Sequence, residues 1–276
     1  VTKEELILAG DDIFAGGYDR KNCFSSRSSG STGQPFTSYF DREAWYILKY
    51  AAKLRARRAC GLKLGARMIN IEACSAEEAA RMNRKTRELK NLAVRRGFLS
   101  VYEDARNHMD FYNKFKPDAL YGLGTYFCEL IDYVGKSKVE RHKPEIVFTS
   151  GEMLDQMVRR KLKDYFGDKV YDIYGCSELK EIAWECPEKK GYHVNDDLCL
   201  VEIHNGEIIV TSLINKAMPL IRFQIGDLGK LIDAPCSCGR AFSMIQPTLG
   251  RSVDMFITED GIKISHYALT MAVENM

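Results

Sequence analysis

The first residues with chemistry in them form the run Arg27-Ser28-Ser29-Gly30-Ser31-Thr32-Gly33-Gln34-Pro35. Its two glycines let backbone amides approach a polyphosphate closely, and the hydroxyls of Ser28, Ser29, Ser31 and Thr32 add donors without bulk. No Lys-Ser/Thr pair follows Gly33, so this is not the loop of a Walker-type nucleotidase. Alone, a Ser/Gly stretch is more often a flexible linker. A second set is Cys186, His193, Cys236 and Cys238. Cys186 and His193 flank a Pro-Glu-Lys-Lys-Gly-Tyr turn, and Cys236-Ser237-Cys238 is a tight pair further on. Two loop-borne pairs separated by a folded β segment could close a tetrahedral Cys3His site of the structural zinc type. The alternative is four reduced side chains in loops. With every ligand a protein group and no position left open, such a site would hold structure rather than catalyse. Cys176 is not read as a nucleophile, since no histidine is fixed beside it. The remaining cysteines read as small buried hydrophobes.

The elements that must carry these residues are of two textures. A helix is expected from Asp41 as N-cap to about Cys60, with Trp45, Leu48 and Ala52 on one face. Another starts at Ser75, where Glu78 completes a capping box, and runs to about Arg96. Strand-like runs at Phe98-Tyr102, Ala119-Gly122, Ile146-Ser150 and Val170-Tyr174 then alternate with helical stretches at 104–115, 125–135 and 153–166. That alternation predicts a parallel sheet flanked by helices. From Tyr192 the pattern becomes antiparallel: Leu198-Ile203 and Glu207-Leu213 flank a His204-Asn205-Gly206 turn, with short strands at Arg222-Phe223 and Leu228-Ile232. A final helix is expected over Ser265–Met276. The basic cluster Arg55, Arg57, Arg58 reads as a solvated helix end, where cations favour the dipole.

Composition bounds the rest. The 276 residues are 45% apolar and 28% charged, which suits a globular chain, and 40 basic against 38 acidic residues leave a net charge of +2. That balance argues against a nucleic-acid or membrane partner. No apolar run approaches a membrane span and no signal peptide is recognisable. The nine cysteines are an odd count and scattered, which reads as reduced thiols in a cytoplasmic protein. Val1 and Met276 read as cut ends of a larger protein.

Downstream of the Ser/Gly run stand Tyr174-Gly175-Cys176-Ser177-Glu178, then Arg222 with Gly226-Asp227, then Gly250-Arg251. In this order and at these separations they resemble the adenylate-forming superfamily of acyl-CoA synthetases and ligases. Ser150-Gly151-Glu152, Pro219-Leu220-Ile221-Arg222 and Cys236-Ser237-Cys238-Gly239-Arg240 resemble the phenylacetate-CoA ligase branch with its capsule-biosynthesis relatives. The resemblance covers nearly the whole chain. It implies an α/β adenylate-forming core, with helix-flanked, mainly parallel sheets followed by an antiparallel, barrel-like region and with the C-terminal lid domain mostly absent. Residues 1–250 would form the ATP- and substrate-binding core, and 251–276 the hinge and the start of that lid.

What the resemblance implies for chemistry is attack of a carboxylate on the α-phosphate of ATP, a step that needs charge neutralisation and alignment. Ser28, Ser29, Gly30, Ser31, Thr32 and Gly33 would hold the β- and γ-phosphates. Glu178 would ligate Mg2+, and Asp227 would accept from both ribose hydroxyls. Arg251 would reach the ribose or phosphate side. Tyr174, with Gly175 and Ser177 in the same motif, would stack on adenine while Gly151, Glu152 and Asp172 line its edge. CoA would take the acyl group in a second step. The carboxylate pocket is expected between Tyr121–Tyr126 and Ser150-Gly151, with Tyr126 and Phe127 admitting an aromatic acid. Some members of this branch carry metal at positions matching Cys186, His193, Cys236 and Cys238, which favours structural Zn2+. Val253 stands where the family has its hinge aspartate, and the lysine of the lid lies beyond the chain end, so ordinary lid swinging is in doubt. Partners are then a small carboxylic acid, ATP and CoA, and a homodimer is admissible. Acyl transfer to an amine, adenylyl transfer, and a degenerate nucleotide-binding module remain the alternatives.

Overall fold

The computed structural model describes residues 1–28, 35–85, 93–137 and 142–248, and the backbone of 249–251, 255–257 and 263–265. The chain divides into two compact units, Val1–Leu54 with Tyr174–Met276, and Arg55–Ile173. The first unit opens with helix α1 (Lys3–Ala9), whose capping box joins Thr2 and Glu5. Strands β1 (Phe24–Arg27) and β2 (Thr37–Phe40) pair antiparallel from Phe24↔Phe40 to Arg27↔Thr37. The Ser28 amide then donates to the Phe36 carbonyl at 2.9 Å, and the Phe36 amide to Ser28 Oγ at 3.0 Å. The expected phosphate-loop residues Ser29, Gly30, Ser31, Thr32 and Gly33 lie outside the described residues. Asp41 caps helix α2 (Arg42–Tyr46) by accepting from the Ala44 amide. The helix continues through a π segment, Ile47–Ala52, into α3 (Lys53–Ala59). Leu48 and Ala52 are buried with Phe40 and Leu198, as the apolar face of this helix requires.

The second unit is a parallel α/β layer. Its elements are β3 (Ala66–Glu72), α4 (Ala76–Lys85), β4 (Val94–Ser100), α5 (Ala105–Phe115), β5 (Ala119–Gly122), α6 (Gly124–Ser137), β6 (Ile146–Ser150), α7 (Gln156–Phe166) and β7 (Val170–Cys176). The strand order is β7-β6-β5-β3-β4, parallel throughout. Ile69, Leu120, Phe127, Val147 and Leu162 are fully buried at its centre. The Ser75–Glu78 capping box is present. The helix expected to run to Arg96 is overturned, because Val94–Arg96 pair with Ala66–Met68 in the parallel ladder. The Asn83 amide also docks both ways on the edge of β4, accepting from the Phe98 amide at 2.7 Å and donating to its carbonyl at 2.8 Å. A further correction concerns Arg57. It is only 2% exposed, with its guanidinium over the Tyr121 ring at 4.8 Å and the Phe148 ring at 5.5 Å, so it is no solvated helix end.

After β7 the first unit resumes as an antiparallel ladder. Strands β8 (Lys180–Glu185), β9 (Tyr192–Val194), β10 (Cys199–His204), β11 (Glu207–Ser212), β12 (Phe223–Ile232) and β13 (Met244–Arg251) take the order β10-β11-β12-β13-β9-β8. Asn205 and Gly206 both have positive φ, 51° and 82°, the primed-turn geometry that the Asn-Gly pair favours. The two short strands expected around Arg222 and Leu228 are one strand, β12, bent by a bulge between Asp227 and Gly229. Strands β14 (Met255–Ile257) and β15 (Lys263–Ser265) pair antiparallel. Ser265 therefore ends a strand instead of opening a helix, and 266–276 lie outside the described residues. Among the described residues no helix is long and apolar enough to cross a membrane.

Candidate functional site

The end of β7 turns sharply back into β8. A Cβ on Gly175 would stand 2.0 Å from the Lys180 carbonyl oxygen, so only glycine fits where the strands close. The turn Ser177–Leu179 holds Glu178 with its side chain mostly buried. Two residues before Gly175's neighbour Cys176, the Tyr174 phenol donates to Asp227 Oδ2 at 2.9 Å. Asp227 sits at the bulge of β12, after Gly226 at φ 87°, and its Cα partner across the ladder is Arg251. This bond brings together motif residues 53 positions apart. Burial, with Glu178 adding to it, pushes the Cys176 thiol well above its ordinary range, which removes it as a nucleophile. Lys180 holds its ammonium over the Phe40 and Trp45 rings, at 4.8 and 5.5 Å. Burial, with Lys53 and Lys49 nearby, lowers it to about 8.

In the second unit the expected edge-lining residues are held by hydrogen bonds of their own. Glu152 accepts from the Thr125 amide at 2.7 Å and from Thr125 Oγ1 at 2.9 Å, so its carboxylate caps the first turn of α6. Asp172 is buried and accepts from Thr149 Oγ1 at 2.6 Å. Gly151 has φ 90° and lies against Leu123. Tyr126 and Phe127 belong to the hydrophobic core, 3% and 0% exposed. Tyr126 Oη meets His108 Nδ1, and His108 Nε2 lies 3.4 Å from Glu103. Sequence reasoning passed over His108 and Thr149, and placed Thr125 only within the expected pocket segment. Thr125 and Thr149 do adjoin motif glycines and serines, but the 18-residue separation of His108 from Tyr126 leaves no pattern to read.

The four proposed metal ligands do converge. Cys186 Sγ, His193, Cys236 Sγ and Cys238 Sγ offer atoms that all lie within 4.8 Å of one another. Cys186 Sγ and Cys236 Sγ are 3.3 Å apart, and His193 Nε2 lies 3.2 Å from Cys238 Sγ. Strand pairing explains the meeting. Cys186 directly follows β8, His193 sits on β9 opposite Trp184 and Met244, and the two later cysteines lie in the connection from β12 to β13. Zinc bonds of about 2.3 Å to sulfur and 2.0 Å to nitrogen put tetrahedral ligand atoms roughly 3.5–4 Å apart, so the donor set fits with small adjustments. His193 Nδ1 is buried without a hydrogen-bond partner among the described residues, leaving Nε2 to face the sulfurs. Burial pushes the Cys186 thiol up to about 12. At Cys238 burial acts the same way, but hydrogen bonds from Arg240 and the neighbouring thiols outweigh it and bring the thiol down to about 6.

No family model matches the chain. It is 30% identical over 160 residues to phenylacetate-coenzyme A ligase of Thermus thermophilus, covering 52% of this chain and 36% of that protein. Over 186 residues it is 25% identical to Protein CapK of Staphylococcus aureus, covering 63% of this chain and 41% of that one. Among solved structures, 2-hydroxyisobutyryl-CoA ligase in complex with 2-HIB-AMP and CoA superposes over 100% of this chain and 69% of its own, with a TM-score of 0.80 at 19% identity. The fold is thus that of the adenylate-forming, acyl-CoA synthetase-like enzymes. Within it, the chain is similar to the phenylacetate-CoA ligases and CapK, and the matched stretch spans little more than a third of those relatives.

Proposed function

We propose that the chain is the nucleotide-binding core of an ATP-dependent, carboxylate-activating ligase whose acyl adenylate passes to CoA. The observation that carries this reading is the Tyr174–Asp227 hydrogen bond beside the buried Glu178 turn. A carboxylate held by a phenol has lone pairs fixed for a ribose diol, and a second carboxylate in the adjoining turn suits a hard cation. Similarity to phenylacetate-CoA ligases supports the same reading. Tyr174 presents its ring to adenine while its hydroxyl holds Asp227, and Asp227 fixes the nucleoside. Glu178 would hold Mg2+, which would supply charge neutralisation to the phosphates. Arg251 and the Ser28–Gly33 loop complete the phosphate contacts. Glu152, engaged by Thr125, and Asp172, engaged by Thr149, act through the backbone they fix. Cys186, His193, Cys236 and Cys238 would hold a structural Zn2+ that ties the β12–β13 connection to β8 and β9, in a reducing cytoplasm that keeps the cysteines from forming disulfides.

The test is ATP–pyrophosphate exchange by the full-length protein against a panel of carboxylic acids. Label should return to ATP only when an acid is present. If ATP binds but no acid supports exchange, the chain is a binding module and the reading fails. A thiol or an amine added to the exchanging mixture then identifies the acceptor.

A further inference from the structure

The carboxyl end of β3 carries two polar side chains that none of the roles above uses. Asn70 is 6% exposed, and its cross-strand partners are Phe98 on β4 and Tyr121 on β5. Directly paired residues share a face, so Asn70 stands on the face where Tyr121 and Phe148 carry the Arg57 guanidinium. Glu72 follows two residues later on that same face, partly exposed. Asn70 Nδ2 donates to Glu72 Oε1 at 3.2 Å, which fixes the amide and leaves Oδ1 as an acceptor. Among the described residues Asn70 Oδ1 has no hydrogen-bond partner, though it is buried. A buried acceptor without a donor is destabilising, and at the carboxyl end of a strand it suits the donor of a ligand.

Its place in the fold says what. In open parallel sheets ligands gather outside the carboxyl ends of the strands. Tyr121 leads directly into Gly122 at the end of β5, and β6 ends at Ser150, before Gly151. These are the segments expected to bound the carboxylate substrate. We propose that Asn70 and Glu72 form a polar recognition subsite for the distal end of the acid, and that this end bears hydrogen-bond donors, a hydroxyl or an ammonium group. The proposal rests on the activation reading above for what the ligand is. Both groups offered are acceptors: the Asn70 carbonyl oxygen takes one donor, and the Glu72 carboxylate takes another and favours a cation. A bare hydrocarbon or aryl tail would bury Asn70 Oδ1 unsatisfied and be rejected.

The test uses the full-length protein with Mg2+ and a non-hydrolysable ATP analogue, so that binding is read apart from turnover. Calorimetry compares acids on one skeleton: phenylacetate with its 4-hydroxy and 4-aminomethyl forms, and butyrate with 4-hydroxybutyrate and 4-aminobutyrate. At least one substituted acid should bind roughly tenfold tighter than its parent, as one hydrogen bond to a buried acceptor allows. Glu72→Gln should reduce the preference for the ammonium acid, and Asn70→Leu should erase both preferences while tightening binding of the parent acid, which no longer buries an unsatisfied oxygen. Glu72 is partly exposed, so its variant keeps the test valid if Asn70→Leu folds poorly. Substituted acids binding no better than their parents would overturn the proposal, as when a buried water satisfies Asn70. Equal weakening of substituted and parent acids by both variants would overturn it too. Selective binding without pyrophosphate exchange would refute the activation reading alone.

Discussion

Replacing Tyr174 by Phe removes one oxygen and leaves the aromatic ring. In the native chain that oxygen donates to Asp227 Oδ2 at 2.9 Å in a partly buried setting. Hydrogen bonds to charged groups contribute about 1.5–3 kcal/mol, and partial exposure places this one near the lower figure. If the bond serves mainly to orient Asp227 for the ribose diol, that energy is felt in nucleotide binding. At about 1.4 kcal/mol per decade, the Kd for ATP–Mg2+ should rise roughly tenfold, while the ring keeps its stacking. Asp227→Asn removes the charge and one good acceptor, and should weaken ATP by about a hundredfold, as loss of charge-assisted bonds to both hydroxyls implies. The double variant should be little worse than Asp227→Asn, because both changes act through one carboxylate. Calorimetric titration of the full-length protein gives all four values, and thermal melts control for stability. Two results would refute the reasoning. One is Tyr174→Phe with native affinity beside a strongly impaired Asp227→Asn. The other is full additivity in the cycle, which would mean the two residues do not act on the same group.

Burial holds the His108 imidazole below its usual range, against the opposing pull of Glu103 and Asp104. The native state therefore keeps it neutral while the unfolded chain takes up a proton near pH 6.5. Stability should fall as pH drops through that value toward the lower native one, and His108→Gln should flatten the dependence; urea midpoints at pH 7.5 and 5 measure it. Protein purified without added zinc should carry close to one zinc per chain, and Cys236→Ser should lower both the metal content and the Tm; substoichiometric zinc in the native protein would sink the metal assignment. Gly175→Ala should yield insoluble protein or lose several kcal/mol, on the scale of severe overpacking, because the new methyl meets the Lys180 carbonyl at 2.0 Å; a melt within a few degrees of native would contradict the hairpin geometry. Asn83→Ala removes two hydrogen bonds to Phe98 and should cost about 2 kcal/mol in urea unfolding, from roughly 1 kcal/mol for each bond.

What could be read ahead of the fold depended on how far apart the deciding residues lie. The caps at Asp41 and Ser75 are local, as is the Asn205-Gly206 turn, and each was legible because its partner sits within three residues. The strands β5, β6 and β7 were legible as apolar runs, since a parallel sheet covered on its faces buries both sides of a strand. Strand β3 was not recognised: Arg67, Asn70 and Glu72 interrupt its apolar pattern, and only pairing with β4 and β5 makes Ala66–Glu72 a strand. The same pairing cuts short the helix expected to reach Arg96, where local propensity favoured continuing and the ladder prevailed.

At the site, residue scarcity took the place of locality. Four metal-type ligands in two tight pairs are improbable enough to be noticed across a gap of 50 residues between Cys186 and Cys236, and their side chains do meet. Tyr126 shows the limit of that logic. Its type suggested a pocket, yet its ring is buried in the core and its hydroxyl is taken by His108, 18 residues earlier. Asn70 is the converse: an ordinary amide in a polar-looking stretch, it becomes informative only when burial leaves its oxygen without a partner. Types and spacing therefore singled out the groups proposed for phosphate, nucleoside and metal, because those ligands demand rare chemistry at fixed separations. The groups proposed to choose among acids need only shape and one or two common polar atoms, and such groups become visible through burial alone.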